Sequence, residues 1–138
     1  MPTAPVGTPG GVAAGCLAMT LLVACGREEA ASVAVPLSYN EAVYCAVAAD
    51  YLSGKVGAQV TGIAPEVFAT ASAKAKSRAL ATSSTVALAD RSTKSPGGVM
   101  ADIGAMQDRL FYGAMAYGAT EYAAKIKVEY DAACGGRL

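Results

Sequence analysis

The sequence predicts an all-α fold, a small three- to four-helix bundle, and three observations carry that prediction. Alanine supplies 31 of the 138 residues, and it is the strongest helix former. Aromatic residues make up only 7% of the chain and tryptophan is absent, which disfavours a sandwich built on large aromatic and β-branched side chains. In the second half of the chain, apolar residues recur at three- and four-residue steps, the period of a helix with one buried face. The length suits a single domain with a modest core.

The amino-terminal part has a different character. All twenty-two charged side chains fall at or after Arg27. Val12 to Ala24 is a thirteen-residue run of Val, Ala, Gly, Cys, Leu, Met and one Thr. That is the length of the apolar part of an export signal and short of the roughly 20 residues that span a bilayer. Its end, Leu22-Val23-Ala24-Cys25, resembles the lipobox of bacterial lipoproteins: a branched apolar residue, two small or apolar residues, then a cysteine. The resemblance covers roughly the first fifth of the chain.

What it implies is cleavage before Cys25, a thioether-linked diacylglycerol on Cys25 and a third acyl chain on the new amino terminus. Multiple acyl chains, at about 0.8 kcal/mol per buried methylene, give stable anchoring. Met1 to Gly11 departs from the pattern in carrying no Lys or Arg. Gly26 stands where an Asp retains many such proteins at the inner membrane, so in a two-membrane bacterium the resemblance points to the periplasmic face of the outer membrane. Cleavage without lipidation implies release to the periplasm instead. The expected organisation is a signal peptide over 1–24, a lipidated terminus and flexible tether over 25–37, and a helical domain over 38–138.

Cysteine usage agrees with export. Cys16 leaves with the signal and Cys25 takes lipid, so Cys45 and Cys134 remain in the mature domain. An even pair in an exported protein reads as a disulfide; two buried free thiols are the alternative.

The elements follow in order. Gly26 to Leu37 is short, mixed and contains Pro36, as a poorly ordered tether requires. Ser38-Tyr39-Asn40-Glu41 matches a capping box and starts a helix to about Ser53, burying Cys45, Ala48, Ala49 and Leu52, with Gly54 as its left-handed terminator. Residues 54–63, with three glycines, read as a loop, and Pro65 opens the next helix. That helix, from Glu66 to about Asp90, is alanine-rich, and Thr82-Ser83-Ser84-Thr85 predicts a kink or break within it. Ser92 to Gly98 is a loop.

Val99, Ile103, Met106 and Leu110 then form one apolar stripe, and Met115, Ala119, Tyr122, Ile126 and Tyr130 a second, out of register by about one residue. Either one long kinked helix or two helices meeting near Gly113 satisfies this pattern. Pairing of Cys45 with Cys134 favours an even helix number, hence four. Gly135 and Gly136 end the last helix.

The chemistry is bounded mainly by exclusion. There is no histidine, which removes Ser-His and Cys-His nucleophiles, imidazole bases and His-ligated zinc. No S-x-x-K and no C-x-x-C occurs. Gly113 to Thr120 has the glycine spacing of a phosphate-binding loop, but Ala119 replaces the lysine that reaches the phosphates. Glu121, Lys125 and Glu129, with Lys127 and Asp131, read as a solvated helix face. Asp102 and Asp108 are six apart, on different sides of a helix. No catalytic residue, cofactor or metal site is therefore expected, and the chain does not read as an enzyme.

Eleven basic and eleven acidic side chains balance, so no global field draws in nucleic acid. Lys74, Lys76 and Arg78 read as a solvated face that could touch anionic headgroups. Tyr112, Tyr117 and Tyr122 are candidate partner contacts. The expected function is that of an envelope lipoprotein, anchored to the membrane through lipid, whose helical domain binds an envelope protein or plays a structural part. A carrier of a small apolar ligand between helices is the alternative, with a carboxylate-based enzyme behind it.

Overall fold

A computed structural model describes residues 34–88 and 93–138. The expected export signal over 1–24, Cys25 and the expected tether up to Val33 lie outside the described residues. The elements are α1 (Tyr39–Ser53), α2 (Lys55–Thr61), α3 (Pro65–Thr82), a 3-10 turn (Ser83–Thr85), α4 (Pro96–Tyr117) and α5 (Ala119–Cys134). Among the described residues the fold is all-α, with four long helices and one short one; the compact unit runs from Val35 to Leu138.

Helix α1 begins at the expected capping box. The Ser38 hydroxyl accepts from the Glu41 backbone N–H at 3.4 Å, and the Glu41 carboxylate accepts from the Ser38 N–H at 2.8 Å. Its buried residues, among them Ala42, Val43, Cys45, Val47, Ala48 and Leu52, point in every direction around the axis, and α1 touches each of the other four helices. A helix apolar all round belongs in the middle of a fold.

Alanine makes that position possible. The buried face of α3 is Phe68, Ser72, Ala75 and Ala79, and the Ser72 hydroxyl donates to the backbone carbonyl of Ala46 at 2.8 Å. A side chain as short as serine reaches a neighbouring helix's backbone only when the axes are close, and small contact residues allow that approach. The bond also satisfies a hydroxyl on a residue only 2% exposed.

Long-range pairs set the helix directions. Cys45 and Cys134 form a disulfide with Cα atoms 5.8 Å apart, while Tyr51 near the other end of α1 donates to the Ala119 carbonyl at the start of α5. Helix α5 therefore runs antiparallel to α1. Tyr39 pairs with Asp102 and Asp50 with Gln107, so α4 runs parallel to α1. The start of α1, the start of α4 and the end of α5 thus share the end through which the chain enters.

Four expectations need correction. Gly54 is extended, with φ −68°, and links α1 directly to α2; the left-handed residue is Gly62 at φ 66°. Residues 55–61 are helical because α2 gains packing against α1 and α5, a tertiary contact that outweighs glycine's low propensity. The second long helix breaks within Thr82–Thr85 as expected but ends there, at Thr82, and not near Asp90; the Thr82 hydroxyl turns back onto the Arg78 carbonyl, the 3-10 turn follows, and Ala87 bridges to Thr93. The loop expected to reach Gly98 stops at Ser95, whose hydroxyl caps α4 by accepting from Gly98 N–H at 3.1 Å. Of the two readings left open for 99–134, two helices are found, broken at Gly118 with φ 90°. Only glycine adopts that backbone freely.

Val35 to Leu37, expected as the end of a flexible tether, dock on the domain instead. Leu37 is 3% exposed in the core, and Arg137 holds the segment from the other terminus. Its guanidinium donates to the carbonyls of Val35 (3.0 Å), Pro36 (3.3 Å) and Ala133 (2.9 Å) and forks onto both Glu41 oxygens at 2.9 and 3.1 Å. The Arg137 fork, with the Ser38 N–H, pulls the Glu41 carboxyl from its ordinary value near 4.5 down to about 2.

Two outcomes follow. Replacing both Cys45 and Cys134 by serine should cost about 2 to 5 kcal/mol, the upper end being the chain-entropy value for a loop of this size, read as a lower urea midpoint with little change in helical signal. Glu41 ionises more easily folded than unfolded, so its contribution is fully present above about pH 4.5 and drains away as pH falls towards 2. The stability gap between the wild-type chain and Glu41→Gln should be flat above pH 5 and close over that acidic window; a gap unchanged at pH 3 contradicts the clamp.

Candidate binding surface

Helix α4 has two apolar faces. The inner one, Val99, Ile103 and Leu110, is buried as the first stripe requires, with Met106 half-buried beside it. The outer one carries Met100, Phe111, Tyr112 and Met115, all more than half exposed. Phe111 and Tyr112 meet edge to face at 5.8 Å between ring centres. Beside Phe111, a groove of about 230 Å³ runs between α1 and α4, lined by Val47, Asp50, Tyr51, Gln107, Leu110 and Phe111. Phe111, Tyr112 and Met115 cluster at this end of α4, with Met100 about three turns away, and clustered exposed aromatic and methionine side chains beside a groove are the usual composition of a protein contact surface.

The second apolar stripe splits. Tyr122, Ile126 and Tyr130 are buried, whereas Met115 is 69% exposed. Tyr122 is therefore not an available partner contact, a correction to the sequence reading; Tyr112 and Tyr117 are exposed. Tyr122 is covered because Gly113 leaves room for its ring. A Cβ on Gly113 would stand 2.3 Å from the Tyr122 Cζ and hydroxyl. Tyr51 meets Tyr122 edge-on at 5.9 Å, and Tyr117 stacks on it at 6.0 Å with Lys125 above the Tyr117 ring. The glycine spacing that looked like a phosphate loop is thus a packing notch at Gly113 and a helix break at Gly118.

A polar cleft of about 410 Å³ lies at the other end of α4, lined in part by Tyr39, Asn40, Lys94, Asp102 and Arg109. Asp102 accepts from the Tyr39 hydroxyl at 2.6 Å and pairs with Lys94, whose ammonium also sits 5.2 Å from the Tyr39 ring centre. Lys94 and Tyr39 donate to Asp102 and hold it below the usual carboxylate range. Burial, reinforced by Asp102, pushes the Tyr39 phenol up. At neutral pH the carboxylate is ionised and the phenol protonated, so neither is poised for proton transfer. The trio latches the segment around Lys94 onto α1 and α4.

Of the other carboxylates singled out in the sequence, Glu129 and Asp131 form surface pairs, while Glu121 is exposed at the start of α5. Lys125 lies 3.8 Å from Glu129 and Lys127 pairs with Asp131. Glu129 also accepts from the Tyr44 hydroxyl at 3.0 Å, which with burial raises the Tyr44 phenol. Asp108 is exposed, and Lys74 and Arg78 are exposed while Lys76 is half-buried. Among the described residues, no three His, Cys, Asp or Glu side chains gather closely enough to hold a metal, and no helix is long and apolar enough to cross a membrane. Comparison with known protein families, curated proteins and solved structures gives no match.

Phe111 and Met100 were not singled out from sequence. Their signal was present as an apolar series, Met100, Phe111 and Met115, running along α4 at eleven- and four-residue steps, out of phase with the Val99 stripe. Gly113→Ala should destabilise the domain by about 1 to 3 kcal/mol through overpacking against Tyr122, measured by urea unfolding. A neutral result excludes the close contact.

Proposed function

We propose that the chain is a small exported envelope lipoprotein, acylated at Cys25, whose helical domain is a non-enzymatic module that binds an envelope protein through the outer face of α4. The observation that carries the reading is the exposed set Phe111, Tyr112, Met115 and Tyr117 at the end of the domain remote from Val35, beside the α1–α4 groove. Burying such side chains at an interface is favourable by about 25 cal/mol per Å² of apolar area, and aromatic anchors beside a groove dominate binding energy in protein contacts.

The address is supported by the lipobox at Leu22-Val23-Ala24-Cys25 and by charges confined to the chain beyond it. The buried Cys45–Cys134 bond suits an oxidising compartment.

Two measurements test the two halves. Intact mass of membrane-extracted protein should give a species beginning at Cys25, carrying acyl mass and lighter by two hydrogens for the disulfide; an unprocessed soluble chain beginning at Met1 sinks the lipoprotein reading. Cross-linking in membranes should recover one stoichiometric protein partner. Phe111→Ser with Met115→Ser should reduce that recovery at least tenfold, the effect of removing about 1.4 kcal/mol or more of contact energy, without lowering the urea midpoint. Unchanged recovery from the double variant overturns the assignment of the surface.

A further inference from the structure

We infer that the face of α3 bearing Lys74 and Arg78 is a contact surface for anionic lipid headgroups, which orients the domain on the bilayer holding its amino terminus. The inference rests on the reading of Cys25 as acylated. Charge is the first argument. The chain is neutral overall, yet α3 beyond Glu66 carries Lys74, Lys76 and Arg78 and no acid through Thr82. Lys74 and Arg78 are exposed one turn apart on one side, with Lys76 half-buried on another.

Placement is the second argument. Lys74 lines a shallow groove of about 500 Å³ with Glu66, Val67, Thr70, Ala71 and Leu138, and Arg78 follows one turn beyond Lys74, with no acid on that stretch of α3 to offset it. Arg137, next to Leu138, bonds the Val35 carbonyl, and Val35 and Val67 are 70% and 58% exposed. Lys74 and the apolar Val35 and Val67, with one acid, Glu66, at the start of α3, therefore adjoin the point where the chain enters the domain, and the basic excess comes from Lys74 with Arg78, the combination that suits a headgroup layer.

Reach is the third argument. Cys25 and Val35 are ten residues apart, a span of at most about 35 Å, whereas the 15 residues of α1 make a rod of about 22 Å. An anchor of that length holds the domain near the bilayer without choosing which side faces it. Two basic side chains at an anionic surface bias that choice on the order of tenfold, less as salt screens them. With the α3 face and the entry end toward lipid, Phe111 and Met115 at the far end of α4 point away from the bilayer.

The test uses the full membrane-extracted protein, reconstituted into vesicles of phosphatidylcholine alone or with one-third phosphatidylglycerol, and acetylated briefly with acetic anhydride. Lys74 should label on the order of fivefold more slowly in the anionic vesicles, recover in 0.5 M salt, and lose its protection in Arg78→Glu. Lys125 at the far end should label equally in both. Equal labelling of Lys74 in the two vesicle types, or protection that ignores both salt and Arg78→Glu, overturns the inference. Intact mass of the same sample separates the failures. Acylated protein with open Lys74 removes this inference alone, while protein without acyl mass removes the lipoprotein reading and this one together.

Discussion

The close contact of α1 with α3 is the constraint on which the rest of the domain depends. Ala46 offers a backbone carbonyl to Ser72 at 2.8 Å, and this is possible only because the contact residues on both helices are small. Alanine contributes little apolar area of its own, so it stabilises by letting helix axes approach, which multiplies dispersion contacts along the whole length. The consequence is that α1 sits inside rather than beside its neighbours. Its own periodicity carries no amphipathic signal, and α3, α4 and α5 each need only one buried face.

A core of small side chains leaves less hydrophobic stabilisation per residue than one rich in Leu and Phe, and the covalent and ionic features fall where they offset that. The disulfide joins α1 to α5 between two fully buried cysteines. Three residues further on, Arg137 ties the carboxy terminus to Val35, Pro36 and Glu41. Both terminal segments are thereby secured at one end of the bundle. Fraying at termini is the cheapest local opening in most domains, and here the same side chain opposes it at both.

The opposite end is organised differently. Tyr122 is seated over Gly113 and stacked by Tyr117, and beyond it Phe111, Tyr112 and Met115 face solvent. Isolated exposed apolar residues are ordinary, but these share one helix end and adjoin a groove. One end thus secures the entering chain at Val35 and the other presents apolar area, a division that fits the proposed membrane-held, partner-binding module.

How much of this was legible in the sequence depends on whether the governing interaction is local. The all-α class, the capping box at Ser38, the start at Pro65, the weakness at Thr82–Thr85 and the Val99–Leu110 stripe follow from intrinsic propensity, side-chain-to-backbone bonds and helical period, all of which act within a few residues. The Cys45–Cys134 bond was legible for a different reason, since only two cysteines remained once the expected leader was set aside. Tertiary structure alone decided that 55–61 is helical, that the break falls at Gly118 rather than Gly113, that Tyr122 is buried, and that Val35 to Leu37 dock. Each of those depends on a neighbour distant in sequence: α5 beside α2, the Tyr122 ring over Gly113, and the Arg137 guanidinium beside Val35. A local pattern has no access to such partners, and the free energy of packing against them exceeds the few tenths of a kcal/mol by which propensities differ.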